Sequence, residues 1–283
     1  MKICKLFLIS ALPAALLFTS ADMLAAPVKA KPVIICPQKP DPPPVIDGDP
    51  ADWELVPAAI TLDKSHIVWG AHQWKGEDDL SGTVRLSFDE NYLYLLVEVI
   101  DEVIKTASDK GIFVSDHVEL DFAPVYNDKA QGPRLGNWRI LGFTPGTVES
   151  SGDPLADMEA DATAAFPPDL DYSGIDVGSS ITEDGYVLEA RIPWKVLGIK
   201  QRVTAGMVFA VDVHISDSDK DFVQEAMTSL NNTTPWKGRR QENILKMVLT
   251  GTDGKIKNNP CRRSIKQFLT AERIKNGCCK NYF

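Results

Sequence analysis

The stretch Val84-Arg85-Leu86-Ser87-Phe88-Asp89-Glu90-Asn91-Tyr92-Leu93-Tyr94-Leu95-Leu96-Val97-Glu98-Val99 decides the fold class. Val84, Leu86 and Phe88 alternate with Arg85 and Ser87, the period-two pattern that puts apolar side chains on one face of a strand. Asp89-Glu90-Asn91 then supplies turn residues that tolerate left-handed backbone. Residues 92–99 are almost continuously apolar, as a central strand buried on both faces requires. This is a hairpin at the heart of a sheet.

Outward from it, the same texture runs over residues 45–250. Further strands are predicted at 117–122, 137–143, 175–181, 186–192, 207–216 and 244–250, separated by Pro, Gly and Asp. There is no helical apolar stripe of useful length and no internal repeat. Many short strands with frequent turn signals predict an all-β, antiparallel β-sandwich of immunoglobulin-like or jelly-roll-like kind, in a single domain. Residues 145–172, rich in Gly, Pro, Asp and Ala, read as a long surface loop. Pro193-Trp194-Lys195-Val196-Leu197-Gly198 reads as one helical turn closed by glycine.

The flanks read differently. Residues 1–26 form an export signal: Lys2 and Lys5, then an apolar run of 13 residues from Leu6 to Phe18 broken by Ser10 and Pro13, then small residues ending at Ala25-Ala26. A membrane-spanning helix needs ~20 apolar residues, so this run is too short for an anchor. The expected cut follows Ala26, with Ala21 as the alternative, and the expected location is secreted or extracytoplasmic. Residues 27–43, with Pro27, Pro32, Pro37, Pro40, Pro42 and Pro43, form a stiff extended lead-in in which Val33-Ile34-Ile35 can add an edge strand. The sandwich is expected over 44–251 and a basic, cysteine-containing tail over 252–283.

Charge separates these parts. The 283 residues carry 30 Lys+Arg against 39 Asp+Glu, a formal −9. The tail holds eight basic and two acidic residues, leaving 22 basic and 37 acidic over residues 1–251. Such an acidic body is a poor partner for phosphate backbones, which excludes nucleic acid as the main ligand. Cys36, Cys261, Cys278 and Cys279 remain after signal removal, and four cysteines allow three pairings. A staple between Cys36 and Cys261 is the first expectation. The absence of any CxxC and the scatter of the four histidines argue against a zinc site.

Three strands each carry one polar face. In 117–122, His117, Glu119 and Asp121 oppose Val118, Leu120 and Phe122. In 137–141, Asn137 and Arg139 are expected to oppose Trp138 and Ile140. In the later strand Asp212, His214 and Ser216 oppose Phe209, Val211, Val213 and Ile215. Either these faces meet water, as one side of an antiparallel sheet often does, or they form a platform for a hydroxyl-rich ligand.

The ordered series Pro44-Val45-Ile46-Asp47-Gly48-Asp49 with Trp53, the hairpin, Asp101, Asp116-His117-Val118-Glu119-Leu120-Asp121, Gly185-Tyr186-Val187-Leu188-Glu189-Ala190 with Ile192-Pro193-Trp194, and the stretch from Asp212 to Asp219 resembles carbohydrate-binding module family nine and its DOMON-like relatives. The resemblance covers roughly residues 44–250. It implies a non-catalytic sandwich that clamps the terminal sugar of a polysaccharide or oligosaccharide between two aromatic rings and often accompanies a glycosidase. By the same resemblance the contacts fall on Phe113 (where the family pattern has tryptophan), Glu119, Arg139, Asn232 and Trp236. Trp53, Trp69 and Trp194 read as core or corner residues, and Trp74 as core or a second rim of the site.

No cofactor is fixed by the sequence. Asp47-Gly48-Asp49 and Asp217-Ser218-Asp219-Lys220-Asp221 carry oxygen ligands at alternate spacing, and related modules can carry structural calcium, although neither loop is an EF-hand. Three alternatives stand beside glycan binding. A glycosidase would need a defined carboxylate pair across a cleft, which nothing in the sequence singles out. A haem or electron-transfer module would draw axial ligands from His66, His72, His117, His214 or a methionine such as Met207. A plain surface interaction domain would bind no small ligand.

Overall fold

The computed structural model describes residues 31–106, 114–126, 139–145, 173–220, 223–234 and 244–256. The export signal, nearly all of the loop 145–172, most of the basic tail, Cys261, Cys278 and Cys279 lie outside the described residues. Strands among the described residues are β1 (Val33–Pro37), β2 (Ile60–Leu62), β3 (Ile67–Trp69), β4 (Ser81–Phe88), β5 (Tyr92–Ile100), β6 (His117–Ala123), β7 (Arg139–Phe143), β8 (Asp176–Ile181), β9 (Gly185–Pro193), β10 (Val208–Asp217), β11 (Ala226–Ser229) and β12 (Leu245–Thr250).

They form two sheets. One has the order β2-β4-β5-β9-β8; the other runs β1-β12-β10-β11-β3, with β6 also on β10 and β7 on β6. The central hairpin is β4–β5, paired antiparallel from Ser81↔Ile100 to Phe88↔Leu93. Its turn is held by Asp89, whose Oδ1 accepts the backbone N–H groups of Asn91 at 2.7 Å and Tyr92 at 2.8 Å.

The core lies between the sheets. Val84, Leu86, Leu95 and Val97 come from one side and Leu120, Phe122, Val211 and Val213 from the other. Each such side chain contributes about 1.5–3 kcal/mol on burial. Phe122, Trp194 and Phe209 pack with ring centroids 5.4–6.2 Å apart. β5 is indeed buried twice over: its other face gives Tyr94 and Leu96 to a second cluster with Trp53, Val56 and Val187. Trp53 sits on the 3₁₀ turn Pro50–Leu55, and its indole N–H donates to Glu189 Oε1 at 2.5 Å.

β1 extends the predicted edge strand to Pro37 and pairs parallel with β12, whereas the other strand pairs among the described residues are antiparallel. It sends Ile34 and Cys36 into the core. Cys36 is a buried free thiol there, pushed well above its ordinary pKa by burial, while Cys261, the other half of the expected staple, lies outside the described residues. The stretch after β9 is a hydrogen-bonded turn and not the regular helical turn expected. Val196 N–H donates to Pro193 O at 2.9 Å and Ile199 N–H to Trp194 O at 2.9 Å, with Gly198 at φ +80°. No helix among the described residues is long and apolar enough to cross a membrane.

Candidate functional site

The polar face predicted from alternation is present on β6 and β10. Cross-strand register sets Asp121 opposite Asp212, Glu119 opposite His214, and His117 opposite Ser216. It is a closed face. Glu119, Asp121, Asp212 and His214 are all buried, so neither of the two expectations, a water-facing sheet or an open platform, describes them.

His214 lies at the centre. Its Nε2 is 3.2 Å from Asp212 Oδ2 and its Nδ1 is 3.5 Å from Glu119 Oε1. Neither contact has hydrogen-bond geometry, and both ring nitrogens are buried without a hydrogen-bond partner. Burial alone would lower the imidazole pKa; the charges of Asp212, Glu119 and Asp121 outweigh it and raise it to about 9. Asp212 is anchored in turn by the Ser229 hydroxyl, which donates to Oδ2 at 3.1 Å. Asn231 N–H donates to Ser229 Oγ at 3.2 Å, while Asn231 Nδ2 is buried with no partner.

Arg139 does not belong to this face. The register pairs Phe122 with Arg139, Leu120 with Leu141 and Val118 with Phe143. These residues therefore share the core face, and Ile140 and Gly142 lie beside Asp121 and Glu119. The expected phase of β7 is reversed. Leu141 and Phe143 together carry more apolar surface than Ile140, and a one-residue change of phase moves every side chain of a strand across the sheet. Arg139 is 7% exposed and its Nε donates to Val196 O at 3.1 Å, holding the 193–198 turn.

Asn232 is also apart from the polar face. It is exposed, at φ +56°, in the turn after β11, where its N–H donates to Ser229 O at 3.2 Å. Asparagine suits that left-handed backbone. Phe113 and Trp236 lie outside the described residues, as does Trp138. Of the three proposed contacts among the described residues, only Glu119 stands within the polar cluster; His214, Asp212, Ser229 and Asn231 are the neighbours that motif matching missed. Cross-strand alternation had already placed the first two on this face.

Trp69 corrects a further reading. It was expected in the core or a corner, yet it is 46% exposed on edge strand β3. Ser216 pairs with Met227 and Met227 with Trp69, so the ring stands on the same face as Glu119 and His214. Trp74 is half-buried against the core, with its N–H donating to Leu80 O at 2.9 Å.

A second polar cluster gathers where β5 ends, β6 begins and β10 ends. One carboxylate oxygen from each of Asp101, Asp116 and Asp217 lies within 4.8 Å of the others, and all three residues are buried. Burial above all, joined by repulsion from nearby carboxylates, pushes Asp101 up to about 7, Asp116 to about 9 and Asp217 to about 8. Asp116 Oδ1 accepts Ser218 N–H at 2.7 Å, and Asp101 Oδ1 accepts Val103 N–H at 2.9 Å. Asp101 Oδ2, Asp217 Oδ1 and the neighbouring Tyr186 hydroxyl are buried with no partner. Such a buried, all-oxygen set, which sheds its protons on binding, fits a hard divalent cation.

The remaining acidic loops are occupied otherwise. Asp79, Glu102 and Asp219 surround the Lys75 ammonium, at 3.0 Å from Asp79 and 3.2 Å from Glu102. Asp47 and Asp49 cap turns, accepting Asp49 N–H and Ala51 N–H at 3.0 Å each.

Comparison with known proteins accords with this architecture. A sequence model described as carbohydrate family 9 binding domain-like matches residues 46–241. Among curated proteins, Exoglucanase XynX of Acetivibrio thermocellus is 26% identical over 240 residues, covering 84% of this chain and 18% of that protein. Endo-1,4-beta-xylanase A of Thermoanaerobacterium saccharolyticum is 22% identical over 84% of this chain and 17% of its own length. The chain thus spans under a fifth of these relatives. Among solved structures, a family 9 carbohydrate-binding module from Caldicellulosiruptor kristjanssonii in complex with cellotriose superposes with TM-score 0.54, at 18% identity, over 81% of this chain and 100% of that one. The glucose complex from the same organism gives 0.53 at 17% identity, covering 81% of this chain and 98% of that one.

Proposed function

This chain belongs to the carbohydrate family 9 binding domain-like family, and from that premise we propose that it is a secreted module binding the ends of β-glucan or related plant polysaccharide chains. It is a carbohydrate-binding domain and not an enzyme. The family match across residues 46–241, nearly the whole sandwich, is the observation that carries the reading. The cellotriose and glucose bound by the C. kristjanssonii modules suggest the ligand class, and the glucanase and xylanase relatives suggest work beside polysaccharide-degrading enzymes.

The chemistry of the ligand sets what the site must do. A pyranose offers a flat C–H face and a rim of hydroxyls. Phe113 and Trp236 would cover the flat face; Glu119, only 1% exposed on the closed face, would not reach the rim. Trp69, an exposed ring on the face that holds Glu119, offers a further stacking surface. Arg139 in this reading supports the 193–198 turn and does not touch the sugar. Few rings are covered, so affinity falls in the micromolar to millimolar range, roughly −8 to −4 kcal/mol.

Calcium is part of the proposal. Asp101, Asp116 and Asp217 are the residues that would hold it, and bound there it would neutralise the trio and tie β5, β6 and β10 together. Calorimetric titration of the mature protein with cellotriose tests the glycan reading. Trp236→Ala is expected to abolish binding while the melting temperature stays nearly constant. Unaltered binding in that variant removes the clamp.

A further inference from the structure

We propose that Glu119, Asp121 and His214 form a second metal site, one for a first-row transition ion such as Zn²⁺, on the closed polar face of β6 and β10. The inference goes beyond glycan binding and does not depend on it.

The first argument is placement. Glu119 and His214 are direct cross-strand partners, and Asp121 and Asp212 are the next pair on the same face. One ligand atom from each of Glu119, Asp121 and His214 lies within 4.8 Å of the others. Donors held about 2.1 Å from one ion stand roughly 3–4 Å apart, so small side-chain rotations close the set.

The second argument is the imidazole itself. His214 is 0% exposed and ion-paired through Nε2 with Asp212, while Nδ1 is buried with no hydrogen-bond partner. A buried polar side chain left in that state is rare and calls for a ligand. Nδ1 faces Glu119, while Nε2 faces Asp212 at 3.2 Å. That is the arrangement in which a carboxylate behind one ring nitrogen orients the other towards a metal. Asp212 is itself fixed by Ser229, which completes the outer layer of support.

The third argument is donor chemistry. The Asp101, Asp116 and Asp217 trio is all oxygen and suits calcium. The His214 set mixes an imidazole nitrogen with two carboxylates, the mixture preferred by zinc, cobalt, nickel or iron. Three protein ligands leave coordination positions for water or another oxygen ligand. The two sites are therefore separable by the metal used.

Cobalt(II) is the probe, because imidazole and carboxylate ligation gives it a visible absorption band. The mature protein is stripped with chelator, returned to calcium to fill the aspartate trio, and titrated with Co²⁺. One equivalent is expected to produce the band, and Zn²⁺ to bleach it. His214→Ala is expected to abolish the band and Asp217→Asn to leave it intact. Glu119→Gln and Asp121→Asn are each expected to weaken Co²⁺ binding at least tenfold, and they carry the test if His214→Ala does not fold. Absence of the band in the unaltered protein, its survival in folded His214→Ala, or Co²⁺ binding by Glu119→Gln and Asp121→Asn as tight as that of the unaltered protein overturns the site.

Discussion

Replacing Asp217 by asparagine should invert its effect on stability according to whether calcium is present. Asp101, Asp116 and Asp217 have pKa values raised to about 7, 9 and 8, with burial as the main cause. A carboxyl whose folded pKa is raised binds more protons in the native state than in the unfolded chain between the two values. Without metal, stability therefore falls as pH climbs from about 4 towards 9. For Asp217 the interval from 3.8 to pH 7 corresponds to roughly 4 kcal/mol at 1.36 kcal/mol per unit. The three groups titrate together, so about half of that is the share one substitution recovers. Asparagine keeps the shape and removes the charge, so in chelator at pH 7 the variant should be about 2 kcal/mol more stable than the natural protein. Calcium at a hundred times its dissociation constant should then stabilise the natural protein by about 2.7 kcal/mol and the variant by little. For a domain of this size that is roughly 5–11 °C in melting temperature. Differential scanning calorimetry in EGTA and in calcium, at pH 5.5 and pH 8, reads both effects. If the variant melts lower than the natural protein in both buffers, or gains as much from calcium, the carboxylate trio is not a cation site.

Other expectations follow from single residues. Trp69→Ala should weaken cellotriose binding by roughly 1 kcal/mol, about fivefold, with little change in melting; unchanged affinity in a calorimetric titration removes that ring from the site. Gly198→Ala should cost about 1–2 kcal/mol in urea denaturation, because φ is +80° and the new Cβ would lie 3.2 Å from Arg139 Nη2; a cost below about 0.5 kcal/mol would contradict the proposed strain. His214, with its pKa raised from 6.5 to about 9, should stabilise the metal-free protein fully below pH 6.5 and lose that contribution as pH rises through about 9. Its alanine variant should flatten the melting curve against pH over that window, and an unchanged slope would show that the imidazole is not protonated.

Much of this protein was legible in the chain. The alternation of Val84, Leu86 and Phe88 and the continuous run after Asn91 appear as β4 and β5, the second buried on both faces. Polar alternation on 117–122 and 208–217 also held, because both strands are long and their apolar sets are unambiguous. β7 did not yield in the same way. Trp138, Ile140, Leu141 and Phe143 supply apolar residues to both phases, so its face could not be read from the local pattern. The short strands β2, β3 and β11 span three or four residues each, too few for a period to show.

The site divides along the same line. Residue types along one strand are local information, and they sufficed to place Glu119 on a polar face and to associate this chain with glycan-binding sandwiches. Which charges share a volume is settled by pairing between segments distant along the chain. Asp101, Asp116 and Asp217 meet only because the end of β5, the start of β6 and the end of β10 come together. His214 meets Glu119 only because β10 and β6 adopt one register out of several. By itself the sequence determined strand period, turn chemistry and the polarity of each face. Only the tertiary structure decided register and burial, since both depend on which segments exclude water from one another.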